Sequence, residues 1–470
     1  MLNSNEVTQK DLIIIKLLNS EEDTSLNCRR IYKTRRLNSV CNSIYLVEVE
    51  KDNNTVVFNQ KSKQADELSF FQNPNEFKFV LKIFGDLSFN VDRDAENRLI
   101  NHLSKNNMVA KMLISDSYYR VEEFLEGYEE TTQDELNIYI ENMIDIISEI
   151  GLLEVHKFKK DGVIDTENNL DLIFKKENNK YINYRILEEE ESNHVVNDIY
   201  STSPNFIISK KKKLLDFLDI TIFPSYFSEH EKLKNLISFD LKNRDGLIFI
   251  ENHLIQRIKE LKIIRNYFER IEEMIDSTIP LSGIFVMTHN DLHKGNVMIK
   301  SNLRSRETEN DFIKVMDMEF AKLNLFGYDF ANHLAESCFD LGATPFGFRS
   351  FDKELNLRNY QIFADRCIKK INNIKGNNYI DDGMACFLKS EEYFTNLCII
   401  SSLYWIINFF TLEECMELND ENLKSLLEKA STRKIENRLE CAKEENLFVR
   451  NGFDRVHYTL KKFEIIDSLF

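Results

Sequence analysis

The chain has 470 residues, of which 43% are hydrophobic and 35 are phenylalanine, so it can bury a substantial core. Its formal net charge of −17 disfavours a nucleic-acid-binding protein, because such binding needs lysines and arginines that neutralise phosphates. The eight cysteines include no CxxC pair, which indicates neither a zinc module nor a disulfide framework and favours reduced thiols in a cytoplasmic protein.

The N-terminal part of the chain predicts an antiparallel sheet with one helix. Residues 37–49 read as a turn rich in Asn and Ser followed by a strand of alternating polarity, and residues 77–84 resume the sheet with Lys82 in mid-strand. The polar stretch between them is typical of a long loop or a disordered insertion. A helix that begins with acidic residues then carries Glu96, and a strand over 118–125 follows.

The remainder of the chain predicts mainly helices. Apolar residues at threes and fours indicate helices over 133–155 and 248–275, and the charge-rich region 167–245 is interpreted as an insertion with helices. The segment 394–412 is uncharged and nearly long enough to span a bilayer, but its Ser, Thr and Asn residues favour a buried helix. Residues 1–11 lack the apolar core of a signal peptide, so we expect a soluble chain without stable membrane insertion.

The stretch from Gly283 to Glu336 contains the residues best suited to chemistry. Its first apolar run predicts a buried strand, a polar loop follows, and two more short apolar runs predict further strands. We expect these strands to bring Asp291, Asn296 and Asp317 to one edge of a sheet. Carboxylate and amide oxygens suit Mg²⁺, and the remaining carboxylate can accept a proton from a substrate hydroxyl, as phosphoryl transfer requires.

Two alternatives apply to the same stretch. His289, Asp291 and His293 alternate and, on a strand, would face one side like the ligands of a transition-metal hydrolase. No further cluster of His and Asp supplies the remaining ligands, so His289 is interpreted as a residue that orders the loop by hydrogen bonding. The other alternative is an acid-rich loop between core strands without a catalytic role.

Four pieces of this stretch occur in one order: His-Asn-Asp at 289–291, Gly-Asn-Val at 295–297, Asp-Met-Glu at 317–319, and Gly-Tyr-Asp-Phe-Ala-Asn-His at 327–333 with Glu336 beyond. Together they resemble the choline/ethanolamine kinase family, which shares a kinase-like fold with aminoglycoside phosphotransferases. The resemblance implies an α+β, two-lobed protein-kinase-like fold. Its small antiparallel-sheet N-lobe, which binds ATP, would cover residues 1–125, and its larger, mostly helical C-lobe would cover residues 126–470.

The resemblance also implies the catalytic machinery. It makes Asp291 the catalytic base and makes Asn296 and Asp317 the ligands of Mg²⁺. Glu319 would assist the metal. Asp329 resembles the buried acid that braces the catalytic loop through backbone N–H groups.

On the nucleotide side, the resemblance assigns Lys82 to the phosphates of ATP and makes Glu96 the carboxylate partner of Lys82. The family has a glycine-rich phosphate loop before its second strand. Here the glycines are absent, and Ser39 and Asn42 belong to the Asn- and Ser-rich turn that replaces them. Glu123 falls where the family has its inter-lobe hinge, at which backbone groups meet adenine.

For the acceptor, the resemblance implies that Glu336 contacts an ammonium group, and Phe320 and Trp405 offer aromatic faces, which attract cations. The form Gly-Asn-Val at 295–297 favours choline over ethanolamine. We therefore expect ATP- and Mg²⁺-dependent synthesis of phosphocholine, the first step of phosphatidylcholine synthesis, and a homodimer by family analogy. The alternatives are an ethanolamine kinase, a kinase for an aminoglycoside or another hydroxyl acceptor, and a catalytically weak kinase-like scaffold.

Overall fold

The computed structural model describes residues 30–37, 43–51, 76–84, 93–131, 140–165, 180–186, 244–300, 313–340, 347–411, 449–450 and 453–469, with isolated positions between 215 and 238. These residues form two compact units. The first is drawn from Met1–Thr131 and Gly295–Phe320, and the second from Thr132–Lys294 and Ala321–Phe470. The Asn- and Ser-rich turn, the polar loop before residue 76 and most of the interpreted insertion lie outside the described residues.

The first unit is built on a five-stranded antiparallel sheet. Its strands, in sheet order, are β1 (Arg30–Leu37), β2 (Ser43–Lys51), β3 (Glu76–Ile83), β5 (Tyr119–Glu123) and β4 (Met112–Ser115). Side chains alternate between the two faces of a strand, so Phe79, Leu81 and Ile83 of β3 join one buried cluster with Val47 and Val121. The same alternation directs the side chain of Lys82 to the opposite face.

A helix and a small second sheet complete the described part of the first unit. Helix α1 (Arg93–Lys105) follows β3, and strand β6 (Tyr128–Glu130) pairs with β10 (Val297–Lys300), which also pairs with β11 (Ile313–Val315). Because β10 and β11 are antiparallel, the residue before β10 and the residues after β11 lie at the same end of the pair.

The second unit combines a four-stranded antiparallel sheet with most of the helices. The strands, in sheet order, are β12 (Lys322–Leu325), β9 (Ser282–Thr288), β7 (Val155–Asp165) and β8 (Lys180–Ile186). The helices are α2 (Ile140–Leu152), α3 (Arg244–Thr278), α4 (Tyr328–Glu336), α5 (Lys353–Lys375), α6 (Asp382–Leu388), α7 (Glu391–Thr411) and α8 (Arg455–Leu469). Two short hairpins pair β13 (Phe339–Asp340) with β14 (Gly347–Phe348) and β15 (Val449–Arg450) with β16 (Phe453–Asp454).

Helix α4 lies in the interior of the second unit, with all of its residues buried. It is preceded by Gly327, whose φ of 83° is a left-handed conformation that glycine adopts without a steric penalty. A Cβ at this position would come within 2.8 Å of the Tyr360 ring. Helix α7 packs against α4. Among the described helices, α7 included, none is both long and apolar enough to cross a membrane.

The structure confirms the predicted α+β class with antiparallel sheets, and the segment that begins at Phe394 lies in the buried helix α7. The helix predicted over 248–275 is observed as α3. The prediction of a helix over 133–155 was wrong at its C-terminal end, because α2 stops at Leu152 and Val155 starts β7, where it pairs with β9. The region 167–245, interpreted as an insertion with helices, also contains strand β8.

Candidate active site

The loop that follows β9 is anchored by one buried carboxylate. The backbone N–H of His289 donates to Asp329 Oδ2 over 2.6 Å, and the N–H of Asn290 donates to Oδ1 over 2.8 Å. Asp329 lies in the first turn of α4. Burial raises the pKa of this carboxyl group, while His289 and the two backbone donors act in the opposite direction. The carboxylate of Asp329 thereby fixes the direction of two consecutive peptide groups.

Asn290 turns the chain within this loop. Its φ is 65°, a left-handed conformation that asparagine adopts more readily than most residues. Its side-chain Oδ1 accepts hydrogen bonds from Thr288 Oγ1 at 3.0 Å and from Asn324 Nδ2 at 2.7 Å. Asn324 lies on the neighbouring strand β12 and was not among the predicted site residues. The turn is therefore stabilised through the Asn290 side chain by Thr288 and Asn324, and through its backbone N–H groups by Asp329.

Asp291 comes directly after this turn. Its backbone N–H donates to Nδ1 of the fully buried His289 over 3.3 Å, so the imidazole takes part in the hydrogen bonds of the loop. The carboxylate Oδ1 lies 3.7 Å from Nε2 of His293, and the Asp291 side chain is 14% exposed. A carboxylate that is oriented by its backbone and still partly accessible can accept a proton from a bound hydroxyl group.

In the first unit, the β10–β11 pair brings Asn296 and Asp317 to one end. The N–H of Met316 donates to the carbonyl oxygen of Asn296 over 2.9 Å. Asp317 has a φ of 61°, so its backbone also leaves the strand in a left-handed conformation. Such conformations cluster at functional sites in non-glycine residues. The predicted ligands Asn296 and Asp317 therefore share one end of the hairpin, whereas Asp291 belongs to the second unit.

The ammonium group of Lys82 lies at this end of the first unit. Its ammonium group forms an ion pair with Asp317, and it lies 3.7 Å from Glu319 Oε2. The Lys82 side chain is 4% exposed, whereas that of Asp317 is 30% exposed. Burial lowers the pKa of Lys82, but the charges of Asp317 and then Glu319 outweigh it, and the net shift is upward. Lys82 therefore remains charged at neutral pH.

The expected partner of Lys82, Glu96, contacts other residues. Glu96 Oε1 lies 2.9 Å from Arg120 Nη1, and Oε2 accepts from Arg93 Nη1 over 2.6 Å. Arg93 also reaches Glu319 at 3.6 Å. The prediction that Glu96 pairs directly with Lys82 was therefore wrong. The reason is geometric. Arg120 and Arg93, which lies three residues before Glu96 on α1, each pair with one oxygen of the Glu96 carboxylate.

Arg120 was missed by the sequence analysis. It stands opposite Lys82 in the register of β5 and β3, is 1% exposed, and donates to Glu122 Oε1 over 2.6 Å as well as facing Glu96. The sequence did contain an indication, since Arg120 lies between Tyr119 and Val121 in a predicted strand. An arginine buried in a strand needs carboxylate partners, which makes it a candidate member of an ion-pair cluster.

The residue predicted to bind an ammonium group, Glu336, ends helix α4. Its Oε1 accepts from the hydroxyl of Tyr458 over 2.8 Å and lies 2.5 Å from the ammonium of Lys462, both on helix α8. Neither partner was predicted. Trp405 is buried in the same unit and donates from its indole N–H to Asn332 Oδ1 over 2.9 Å. Phe320 ends a short helical turn in the first unit and is only partly buried.

The structure gives little information on the other three residues that were predicted to bind the nucleotide. Ser39 and Asn42 lie outside the described residues. Glu123 ends strand β5, where its backbone N–H donates to the carbonyl oxygen of Lys111 over 2.9 Å and its side chain accepts from the N–H of Lys111 over 3.3 Å. The assignment of these three residues to nucleotide binding stays a prediction.

Comparison with known families gives a match over most of the chain. A family model described as choline/ethanolamine kinase matches residues 37–466. An ethanolamine kinase of Drosophila melanogaster is 26% identical over 180 residues, a segment that covers 37% of this chain. The match spans only 27% of the length of that curated relative.

Solved structures with similarity to the chain include a choline kinase and an ethanolamine kinase. A choline kinase of Cryptosporidium parvum has a TM-score of 0.43 and 16% identity, with 98% of this chain and 97% of that chain covered. An ethanolamine kinase of Plasmodium vivax has a TM-score of 0.41 and 14% identity, with 98% of this chain and 89% of that chain covered.

Proposed function

The chain belongs to the choline/ethanolamine kinase family, and on that premise we propose that it transfers the γ-phosphate of ATP to the hydroxyl of an amino alcohol, choline or ethanolamine. The observation that carries the proposal is the family match over residues 37–466, which includes every residue assigned to the chemistry. The product is phosphocholine or phosphoethanolamine. The preference for choline that the sequence favoured stays a prediction.

The proposed base is Asp291. The reacting hydroxyl must be aligned with the γ-phosphate and must lose its proton, and a carboxylate within hydrogen-bond reach supplies both effects. The anchoring of the loop by Asp329 and the turn at Asn290 support this role, because they fix the backbone from which the Asp291 side chain projects. The carboxylate then needs no rearrangement at the moment of reaction.

The donors at the end of the β10–β11 pair fit Mg²⁺. Asn296 offers an amide oxygen, and Asp317 and Glu319 offer carboxylates, which are the oxygen ligands that this ion prefers. The position of the Lys82 ammonium beside both carboxylates supports the fit, because the two carboxylates lie close enough together to share one cation. When bound, Mg²⁺ supplies neutralisation of the charge on the transferring phosphoryl group.

Lys82 is the proposed phosphate contact. Its charge is secured by Asp317 and Glu319, and its position in mid-strand on β3 limits the movement of its backbone. A lysine ammonium is a compact donor that can exchange a carboxylate oxygen for a phosphate oxygen without a change in its own charge. Arg93 and Arg120 hold Glu96 and Glu319 beside it.

The test is the release of ADP from ATP and Mg²⁺, with choline and ethanolamine offered separately. We expect turnover with at least one alcohol, and Asp291→Asn should lower kcat by about 10²- to 10⁴-fold, the usual contribution of a general base. Asp382→Asn is the matched control, because Asp382 is an exposed acid in the first turn of α6. Its kcat should equal that of the unmodified protein.

Two results would contradict the proposal. Full turnover by Asp291→Asn would remove Asp291 from the role of base. The absence of ADP release with both alcohols would exclude them as acceptors. If Mg²⁺-dependent ATP binding were then retained, the result would favour a kinase for another hydroxyl compound. If ATP binding were also absent, it would favour the scaffold alternative.

A further inference from the structure

The carboxylate of Glu336 already has an ammonium group as its neighbour. Lys462 Nζ lies 2.5 Å from Glu336 Oε1, and it stands 5.1 Å from the ring centroid of Phe339 and 5.5 Å from that of Tyr458. Lys462 is fully buried, and both rings are 1% exposed. A carboxylate with two aromatic rings around a cation is the arrangement by which proteins recognise alkylammonium ligands. Here the cation is part of the chain.

Helix α8 holds Lys462 firmly in this place. The Phe463 ring stacks on Tyr267 of α3 with centroids 3.8 Å apart, and the Tyr267 hydroxyl donates to Asp467 Oδ1. At the end of the helix, Lys353 Nζ donates to the carbonyl oxygen of Leu469 over 2.8 Å. These contacts fix α8 on the C-terminal side of Lys462, and the hydrogen bond from the Tyr458 hydroxyl to Glu336 fixes it on the N-terminal side. Its ammonium group is therefore a constant part of the site.

The Tyr458 side chain beside this ammonium group is within electrostatic reach of the proposed base. Burial and the Glu336 carboxylate raise the pKa of Tyr458, and the charge of Asp291 adds to the same shift. Burial above all, and then the charge of Asp291, likewise raises the pKa of the partly buried Tyr404. Asp291, Tyr458 and Glu336 thus belong to one electrostatic neighbourhood within the second unit. An acceptor whose hydroxyl met Asp291 would turn its amine end towards these residues.

The two amino alcohols differ in what they need there. A trimethylammonium group has no N–H donor and is attracted only by ring faces and by negative charge, both of which Lys462 already occupies. A primary ammonium group has donors and needs only a single accessible acceptor. Both contacts to Glu336 fall on Oε1, and among the described residues none bonds to Oε2. That oxygen is the acceptor left for a second, smaller ammonium group.

We propose that Lys462 is a specificity-determining residue, whose ammonium group excludes trimethylammonium acceptors and selects alcohols with a primary amine. This inference rests on the proposed function and deepens it, since it places ethanolamine before choline. It also gives the opposite order to the one that the sequence favoured. The substrate class is a short alcohol with one primary ammonium group.

The experiment compares kcat/KM for ethanolamine and choline in the full chain and in Lys462→Met, which keeps an unbranched side chain, one atom shorter, and removes its charge. The unmodified protein should prefer ethanolamine by about tenfold or more, a difference of about 1.4 kcal/mol. In Lys462→Met, the freed carboxylate and rings should raise the relative kcat/KM for choline by about tenfold, in the range of a desolvated cation–π site. Lys461→Met is the matched control, because Lys461 is the preceding residue of the same helix and pairs with Glu464, over the Phe348 ring, instead of with Glu336. It should leave the ratio unchanged.

Two results would overturn the inference and leave the proposed kinase activity intact. One is a preference of the unmodified protein for choline, and the other is a ratio of kcat/KM for the two alcohols that is the same in Lys462→Met as in the unmodified protein. Because Lys462→Met can fail to fold, a second measurement uses the unmodified protein alone. Ethylammonium should compete with ethanolamine and raise the melting temperature, and tetramethylammonium should do neither. Stabilisation by tetramethylammonium equal to that by ethylammonium would overturn the inference. If neither alcohol gives turnover, the proposed function fails. The melting-temperature measurement then still tests the role of Lys462, because it does not depend on turnover.

Discussion

The two units hold their acidic residues in different ways. In the first unit, Asp317, Glu319 and Glu96 face the side-chain cations of Lys82, Arg93 and Arg120. In the second unit, the buried Asp329 is bound by two backbone N–H groups of the loop that carries the proposed base. Side-chain cations can change partners when a ligand arrives, whereas backbone donors within a loop cannot. The first arrangement is compatible with the proposed metal and phosphate site, and the second with a loop that keeps one geometry.

The comparison can be tested first at Arg120, where we expect the largest effect. Arg120→Met would leave the buried Glu96 and its neighbour Glu122 without their shared cation, and removal of one partner of a buried ion pair costs about 3–5 kcal/mol. The measurement is the free energy of unfolding from urea denaturation. Arg366→Met is the matched control, because Arg366 pairs with Glu141 at an exposed position where such pairs contribute about 0–1 kcal/mol. Equal losses in the two variants would mean that the first unit does not depend on its buried cations.

A second test concerns pH and the second unit. Burial above all, and then the charge of His293, lowers the pKa of His333 from 6.5 to about 4. Between these two pH values the unfolded chain binds a proton at His333 and the folded chain does not. The stabilisation is therefore complete above pH 6.5 and is lost as the pH falls towards 4, by up to about 3 kcal/mol.

The measurement is the difference in the free energy of unfolding between the unmodified protein and His333→Gln across this pH range. The variant should lose the part of the slope that His333 contributes. His102→Gln, at an exposed position of α1, is the control and should keep the full slope. If His333→Gln kept it as well, the buried imidazole would not be the source of the acid sensitivity.

The smallest expected effect on stability is that of Asp329→Asn. The amide of asparagine can accept one of the two backbone N–H groups but turns its own N–H₂ towards the other, so one buried donor is left unsatisfied at a cost of about 2 kcal/mol. Because the loop then loses its orientation, kcat should fall more than the change in stability suggests. Asp365→Asn, in an exposed pair with Lys389, is the control for both measurements. A normal kcat in Asp329→Asn would show that the loop keeps its geometry without this anchor.

The sequence was most informative where contacts are local. The strand before His289, the polar loop that contains Asn290 and the strand before Asp317 follow from apolar runs and polar residues close together in the chain. Their motif spacing was sufficient to suggest the family. Single strands and helices could be read in this way because each depends on the period of its own residues.

Contacts between distant residues were not predictable in the same way. Lys82 and Asp317 are 235 residues apart, and Tyr458 and Glu336 are 122 residues apart. No local pattern specifies which carboxylate meets which cation at such separations. For this reason Glu96 was assigned to Lys82 when it contacts Arg120, and the occupation of Glu336 by Lys462 had no indication in the sequence.

Gly327 connects the packing of the second unit to its loop geometry. A side chain at this position would meet Tyr360, which is fully buried and whose hydroxyl donates to the carbonyl oxygen of Leu388 over 2.8 Å. Because the Tyr360 ring is fully buried, the start of α4 would have to move instead. Asp329 lies there, two residues after Gly327. A side chain at 327 would therefore displace Asp329 and, through its two hydrogen bonds, the loop that carries the proposed base Asp291. The residue at 327 is thus restricted both by the packing of Tyr360 and by the geometry of that loop.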